Sequence, residues 1–198
     1  MATDFTLLQA IALGSLVAWA SGMRLYLVVF VLGLAARYGY LTLPDGLAVL
    51  SHAYVIGAAG LLLAVEFLAD KIPVVDSAWD AVHTFIRIPA GALLAAGVAG
   101  EDINAITVAA GLLGGTITAG THFAKAGSRA AINTSPEPFS NGIASFGEDA
   151  LVLGGIWTAL YHPAVFLGLL AVFLVAAAWV VLKLAAFVRR RLAREEPA

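Results

Sequence analysis

The sequence predicts an all-α integral membrane protein with about six membrane segments, two proline-broken or re-entrant linkers and an internal repeat. Three observations favour this fold class. First, 61% of the 198 residues are hydrophobic, only 12% are charged, and the mean hydropathy is +0.93. Soluble domains carry about 25% charged residues, so the composition excludes an ordinary globular enzyme. The other two observations are long runs without charge and two similar proline-containing stretches.

The charge-free runs give the predicted membrane segments. A helix of about 20 apolar residues crosses a hydrocarbon core of roughly 30 Å. The last run would overshoot as one helix, and we expect a break at Tyr161-His162-Pro163, because proline removes a backbone donor. The whole chain, 1–198, is then one polytopic domain with flanking spans 5–36 and 163–188. The runs cover 5–23, 25–36, 46–65, 88–100, 103–124 and 150–182.

Basic residues near the end of the chain predict its orientation. Such clusters beside a span favour the cytoplasm, so we expect both termini inside after six crossings of the inner membrane. The alternative for this stretch is a solvated membrane-edge helix with no other role. The first residues lack the basic segment of a cleaved signal peptide, and we expect the first hydrophobic run to be retained. The basic residues are Lys183, Arg189, Arg190, Arg191 and Arg194.

Two stretches of the chain share a layout, which predicts repeats at 53–100 and 103–160. Each runs from a helix end through a polar stretch with proline into an apolar helix. Duplicated membrane halves often place a site at their interface. Parallel and inverted arrangements both remain open, as does a chance similarity between two apolar hairpins. The matching pairs are 56 to 63 residues apart and comprise Phe67 and Phe123, Pro73 and Pro136, Ser77 and Ser140, and Phe85 and Phe146.

Several strings within these stretches carry a family resemblance. They are EFLADKIPVVDSAWD from Glu66, RIPAGALLAAG from Arg87, and INTSPEPFSN, followed by EDALV, from Ile132. The chain resembles the bacterial membrane family catalogued as domain of unknown function 4126, from about Gly22 to Trp157. The resemblance implies a small multi-pass bacterial membrane protein, and it implies no particular activity.

Each linker also carries a polar stripe at helical spacing. Residues three and four apart share a helix face, and a helix beginning at Asp76 would place Asp76, Asp80, His83 and Arg87 on one face. The opposite face carries apolar residues. The second linker repeats the stripe with Asn141, Ser145, Glu148 and Asp149. Such faces either lie at the membrane interface or point inward at each other.

Depth favours the inward arrangement. Asp149 lies twelve residues before Tyr161, or roughly 18 Å along a helix, which is well short of a full crossing. Intramembrane charges generally face a bundle interior or a wet cavity and indicate function. We therefore expect both linkers to line one polar cavity, with Arg87 and Glu148 paired across it. A plain interfacial loop is the alternative for the stretch NTSPEP, which contributes Asn133, Ser135 and Glu137.

Further candidates come from neighbouring helix ends. Glu66 and Asp70 lie one turn apart, and His122, Lys125 and Arg129 follow one another along the fourth segment. They meet in the cavity if those segments pack together; otherwise they extend to the membrane surface. A metal site of Glu66, Asp70, His83 and His122 has acceptable ligands but no supporting spacing. Arg24 interrupts the first apolar run, and we expect either a broken helix there or a buried partner such as Asp70 or Asp80.

These observations favour a small membrane transporter or channel-like protein for an ion or small polar solute. The acidic excess favours a cation or a proton. The alternatives are a membrane-embedded enzyme or lipid-headgroup-binding protein, and an accessory membrane subunit. We expect the lipid bilayer and the transported ion or solute as partners, no nucleic acid and no cofactor, and a homo-oligomer remains open. The predicted site comprises Glu66, Asp70, Asp76, Asp80, His83, Arg87, His122, Lys125, Arg129, Asn133, Ser135, Glu137, Asn141, Glu148 and Asp149.

Overall fold

The computed structural model of the chain describes residues 5–132 and 138–195. Over those residues the chain folds into six α-helices and one 3-10 helix, and no strand occurs among them. The all-α prediction is therefore confirmed. The helices are α1 (Leu7–Arg37), the 3-10 helix (Asp45–Ser51), α2 (Ala53–Ala69), α3 (Pro73–Ala99), α4 (Ala105–Ile132), α5 (Pro138–Tyr161) and α6 (Pro163–Glu195).

Helix α1 forms the centre of the bundle. It starts with a capping box, in which Thr6 Oγ1 accepts from the Gln9 backbone N–H at 3.3 Å and Gln9 Oε1 accepts from the Thr6 N–H at 2.9 Å. Its middle, from Leu16 to Val28, is buried throughout. The other helices pack around it. The two predicted runs 5–23 and 25–36 are thus one long helix with a break at Arg24, where φ is −146° and ψ is 71°.

Polar side chains face inward and apolar side chains face outward on α3. The helix begins at Pro73, three residues before the predicted start at Asp76, because proline is preorganised for the first helical position. The stripe from Asp76 to Arg87 is buried, as predicted, whereas Val82 and Phe85 are 60% and 82% exposed. Helix α5 shows the same arrangement. Polar side chains inside and apolar side chains outside are the reverse of the arrangement in a soluble protein.

Small residues allow helices α1, α3 and α4 to approach closely. A Cβ atom at Gly22 would lie 2.6 Å from the Thr118 carbonyl oxygen, so α4 crosses α1 almost backbone to backbone. A Cβ at Gly91 of α3 would overlap the Thr118 side chain, and one at Gly114 of α4 would overlap Ala95. These glycines therefore serve helix packing.

Four helices are long and apolar enough to cross a membrane, which is compatible with a membrane protein. They are α1, most of α3, most of α5 and residues 163–180 of α6. The 3-10 helix and α2 add a fifth if they form one span bent by 67°. Helix α4 does not meet the same criterion, so the predicted six crossings are not confirmed among the described residues.

The predicted break between the last two segments is confirmed. Helix α5 ends at Tyr161 and α6 begins at Pro163. Helix α6 returns along the bundle, and its Phe166 and Phe173 rings each lie 6.1 Å from the Trp19 ring of α1 in edge-to-face contact. The predicted repeats correspond to the helix pairs α2–α3 and α4–α5, and an internal symmetry between the pairs is not confirmed.

Candidate functional site

A cluster of ten charged residues lies in the interior of the bundle, and we call it the charge cluster. Helices α1, α3, α4 and α5 contribute to it, together with the end of α2, whereas α6 contributes none in its described part. All of its members are buried except Asp149, whose side chain is 23% exposed. The cluster comprises Arg24, Glu66, Asp70, Asp76, Asp80, Arg87, Lys125, Arg129, Glu148 and Asp149.

Arg24 contacts more carboxylates than any other basic residue of the cluster. Its Nη1 contacts the Asp70 carboxylate closely and lies 3.8 Å from Glu66 Oε1. Its Nε lies 2.9 Å from Asp149 Oδ1 and 3.3 Å from Glu148 Oε2. Both predicted outcomes for Arg24 are therefore confirmed, because the helix is broken there and the side chain is buried against Asp70.

The break at Arg24 also gives Lys125 a backbone acceptor. Lys125 Nζ of α4 donates to the Met23 carbonyl at 3.2 Å, immediately before the non-helical residue. The same ammonium group lies 3.8 Å from Glu66, 3.5 Å from Asp80 and 3.5 Å from Glu148. Lys125 thus stands between carboxylates from three other helices and holds α4 against the broken turn of α1.

Arg129 of α4 pairs with Glu148 of α5 through two parallel hydrogen bonds. The Nε group donates to Oε1 at 2.7 Å and Nη2 donates to Oε2 at 3.1 Å. Arg129 also donates to the Asn141 carbonyl at 3.2 Å and reaches Asp70 at 3.5 Å. Two-point pairs of this kind fix geometry as well as charge.

Arg87 pairs within the first half of the site and not across the predicted repeat interface. Its Nη2 contacts the Glu66 carboxylate closely, and its Nη1 donates to Asp80 Oδ1 at 2.9 Å. The predicted pair between Arg87 and Glu148 is wrong for the described conformation, in which Glu148 contacts Arg24, Lys125 and Arg129. Because of the rotation of the helices about their axes, Arg87 and Glu148 each lie closer to other charged residues than to each other.

Hydrogen-bond partners assign His122 as neutral. Arg87 Nη1 can only donate, so His122 Nδ1 accepts from it at 3.4 Å and carries no proton. His122 Nε2–H then donates to Thr84 Oγ1 at 2.7 Å, and the Thr84 hydroxyl donates to the Asp80 carbonyl at 3.0 Å. The imidazole therefore adds no charge to the cluster.

His83 is placed by three aromatic and backbone contacts. Its Nδ1–H donates to the Trp79 carbonyl at 2.7 Å, since a carbonyl can only accept. The Tyr26 hydroxyl donates to Nε2 at 2.9 Å, and the Trp79 ring stacks on the imidazole with centroids 4.1 Å apart. Tyr26 was not among the predicted residues. Tyr26 lies two residues after Arg24 and belongs to no polar stripe at helical spacing, so the sequence did not indicate it.

The structure brings together every predicted site residue that it describes. Asn141 lies beside Arg129, and Asp76 is buried and interacts electrostatically with the same guanidinium group. Ser145, which belonged to the predicted stripe, donates to Asp70 Oδ2 at 3.1 Å. Asn133, Ser135 and Glu137 lie outside the described residues.

An excess of negative charge is the main electrostatic feature of the cluster. Six carboxylates face four basic side chains, so two negative charges exceed the positive ones when both histidines are neutral. Three buried carboxylate oxygens, Glu66 Oε2, Asp70 Oδ1 and Asp80 Oδ2, have no hydrogen-bond partner among the described residues. Burying a carboxylate without full compensation is costly, so this arrangement favours the uptake of positive charge.

The geometry does not favour a metal ion. Within residues 5–132 and 138–195, no group of three His, Asp or Glu side chains is arranged to hold one. The predicted metal site of Glu66, Asp70, His83 and His122 is therefore not supported, because Glu66 and Asp70 bind arginines and both imidazoles are occupied by hydrogen bonds.

The side chains of the cluster are buried. Five cavities of the described chain lie elsewhere, and none of these five is lined by a charged residue of the cluster. One of about 320 Å³, for example, is lined by apolar and small residues of α1, α3 and α4. Among the described residues the charged side chains pack against one another, and the wet cavity stays a prediction.

Comparison with known proteins gives a family. Neither the curated proteins nor the solved structures include a match to this chain. The sequence model of one family matches residues 11–183, which is most of the chain and includes every member of the charge cluster. The chain therefore belongs to the family described as domain of unknown function 4126.

Proposed function

We propose that the protein is a small membrane transporter or channel-like protein whose charge cluster binds a cation or a proton during its passage. One observation carries the proposal: six carboxylates and four basic side chains are enclosed in a bundle whose outer surface is apolar. Charged residues inside a membrane bundle are rare, and many of them mark the pathway of an ion, a proton or a substrate. The two uncompensated negative charges supply the attraction for a positively charged ligand.

The outward surface supports membrane embedding of all six α-helices. Helix α4 is 28 residues long, or about 42 Å at 1.5 Å per residue, which suffices for a crossing. Its outer face carries Leu112 and Leu113, which are 70% and 65% exposed. Its hydropathy is lowered by the residues that it turns inward, such as His122 and Lys125. We therefore place six crossings in the inner membrane, with both termini in the cytoplasm.

Transport requires that the buried cluster opens to each side in turn. The segments with interrupted helical bonding adjoin the cluster, at Arg24 of α1 and at the short connection between α2 and α3. In transporters built from repeats, the halves rock around a fixed central site. Here α3 and α4 pack closely through Gly91 and Gly114, so we infer that these two helices move as one unit.

The positions of the basic residues favour an ion over a lipid headgroup. The residues expected to bind a lipid phosphate are Lys71, Lys125 and Arg129, of which the last two are 3% and 1% exposed. Both are paired with carboxylates. A headgroup would have to displace those pairs, whereas a cation or proton adds to the carboxylates that are already in excess.

The test is flux into proteoliposomes that contain the purified full chain. Protons, Na⁺, K⁺ and Mg²⁺ are each driven by a gradient and followed with ion-sensitive dyes. We expect flux of at least one of them above that of empty liposomes, and we expect Glu66→Gln to abolish it. Asp45→Asn is the matched control, because Asp45 is exposed and does not belong to the cluster. The absence of flux for every ion tested would contradict the proposal and favour an accessory subunit.

A further inference from the structure

Asp149 differs from the other carboxylates of the charge cluster in its access to the surroundings. Its side chain is 23% exposed, whereas those of Glu66 and Asp70 are fully buried and that of Glu148 is 10% exposed. It lies in the middle of α5, one residue after Glu148. Of the described carboxylates in the cluster, it is therefore the most exposed.

Asp149 also has fewer basic partners than Glu66, Asp70, Asp80 and Glu148. Within the described chain, Arg24 is its one basic partner within 4.0 Å. Glu66 and Glu148 each have three such partners, and Asp70 and Asp80 each have two. Arg24 is itself shared among four carboxylates. The guanidinium group of Arg24 therefore neutralises the charge of Asp149 only in part.

The groups that face Asp149 come from each neighbouring helix. Arg24 faces it from α1 and Glu66 and Asp70 from α2, while Glu148 is its neighbour on α5. Helix α4 contributes Lys125 and Arg129, which are both engaged with Glu148. Helix α6 packs against α5 and has no titratable residue between 163 and 182. Glu66, Asp70 and Glu148 thus share the Arg24 cation with Asp149.

We propose that Asp149 is the proton-binding carboxylate of the charge cluster and that the carried ion is a proton. The inference rests on the proposed function, because it names the ion for that same site. A proton from water adds to a carboxylate oxygen of Asp149 and forms a neutral carboxylic acid, and its release restores the carboxylate. One observation favours a proton over a metal ion: no three His, Asp or Glu side chains are arranged to hold a metal ion in the described residues.

Protonation of Asp149 changes the partners of Arg24. The Nε group of Arg24 lies 2.9 Å from Asp149 and 3.3 Å from Glu148, so it loses one of two carboxylates when Asp149 is neutral. Its Nη groups remain bound to Asp70 and Ser145. Arg24 is the broken position of α1. Loading a proton therefore acts on the residue where the central helix is able to bend.

The experiment measures proton flux and protonation in the same samples. Proteoliposomes with an internal pH-sensitive dye receive a pH step, with valinomycin and K⁺ to clamp the membrane potential. Infrared difference spectra over the same pH interval report the C=O band of a protonated carboxyl group. Wild type is compared with Asp149→Asn, the conservative Asp149→Glu and the control Asp45→Asn. Melting temperatures show that each variant is folded.

We expect Asp149→Asn to reduce proton flux at least tenfold and to remove one carboxyl band whose pH profile matches the flux. Asp149→Glu should retain both at a shifted pH, and Asp45→Asn should match wild type. Proton flux that survives Asp149→Asn, or a band that is identical in both proteins, would overturn the inference. Flux of a metal cation that Asp149→Asn leaves unchanged would also overturn it, while the proposed function stands. Absence of flux for every ion would contradict the proposed function itself.

Discussion

Arg129 and Glu148 form the one two-point ion pair among the described residues, with N–O distances of 2.7 and 3.1 Å between α4 and α5. Both residues are buried, at 1% and 8% exposure. Removing one partner of a buried pair typically costs about 3–5 kcal/mol. The pair therefore connects two helices that otherwise contact each other little.

The first prediction concerns this pair. Arg129→Gln and Glu148→Gln should each lower the free energy of unfolding by about 3–5 kcal/mol, measured by SDS titration of the protein in mixed micelles. The double variant should be more stable than the sum of the two losses predicts, because residues in contact are coupled. Arg37→Gln is the control: Arg37 is exposed, and a change within about 0.5 kcal/mol is expected. Simple additivity at Arg129 and Glu148 would contradict the pairing.

The sequence was sufficient to predict the polar faces and the inward direction of the charges. Helical spacing placed Asp76, Asp80, His83 and Arg87 on one face, and the structure buries all of them. The break at Tyr161 followed from the proline at 163, whose effect on the backbone is local. Such local rules need no knowledge of the neighbouring helices, which is why they hold.

The choice of partners could not be predicted from the sequence. Arg87 binds Glu66 and not Glu148, because the rotation of α3 about its axis and its distance from α5 depend on packing through Gly91 and Gly114. No periodic pattern encodes that rotation. The Met23 carbonyl was missed for a related reason: it accepts from Lys125 next to a backbone break that only the packed structure specifies.

The second prediction concerns Arg24. Its guanidinium group contacts four carboxylates and donates to the Ser145 hydroxyl at 2.7 Å and the Ser145 carbonyl at 3.0 Å. Lysine keeps the charge but lacks the planar set of five donors. Arg24→Lys should therefore destabilise the protein, and Arg24→Gln should do so more strongly, as measured by melting temperature in detergent. Arg37→Lys serves as the control. Full retention of stability in Arg24→Lys would mean that charge alone matters at this position.

The third prediction concerns the outward faces of α3 and α5. Val82 and Ile143 are each 60% exposed and apolar, and we expect them to face lipid chains. The chain contains no cysteine, so a nitroxide label can be attached at Val82→Cys or Ile143→Cys without background. In bilayers, power-saturation electron paramagnetic resonance should show high accessibility to oxygen and low accessibility to a polar nickel complex. A label at Tyr40, which is 86% exposed in a loop, should show the opposite ratio if that loop faces water.

The fourth prediction concerns the crossing of α1 and α4 at Gly22. A Cβ atom there would lie 2.6 Å from the Thr118 carbonyl oxygen and 2.9 Å from the His122 backbone nitrogen. Both atoms belong to the helix backbone and cannot move aside alone, so Gly22→Ala must separate the two helices. Overpacking of this kind costs about 1–3 kcal/mol. We therefore expect a lower free energy of unfolding, together with weaker proton flux, because His122 and Lys125 move away from α1.

Gly168→Ala in α6 is the matched control, since nothing lies within 4 Å of its added Cβ. This substitution should be neutral or stabilise the protein by up to about 1 kcal/mol. Equal effects of the two substitutions would show that helix propensity, and not the close approach at Gly22, determines the outcome.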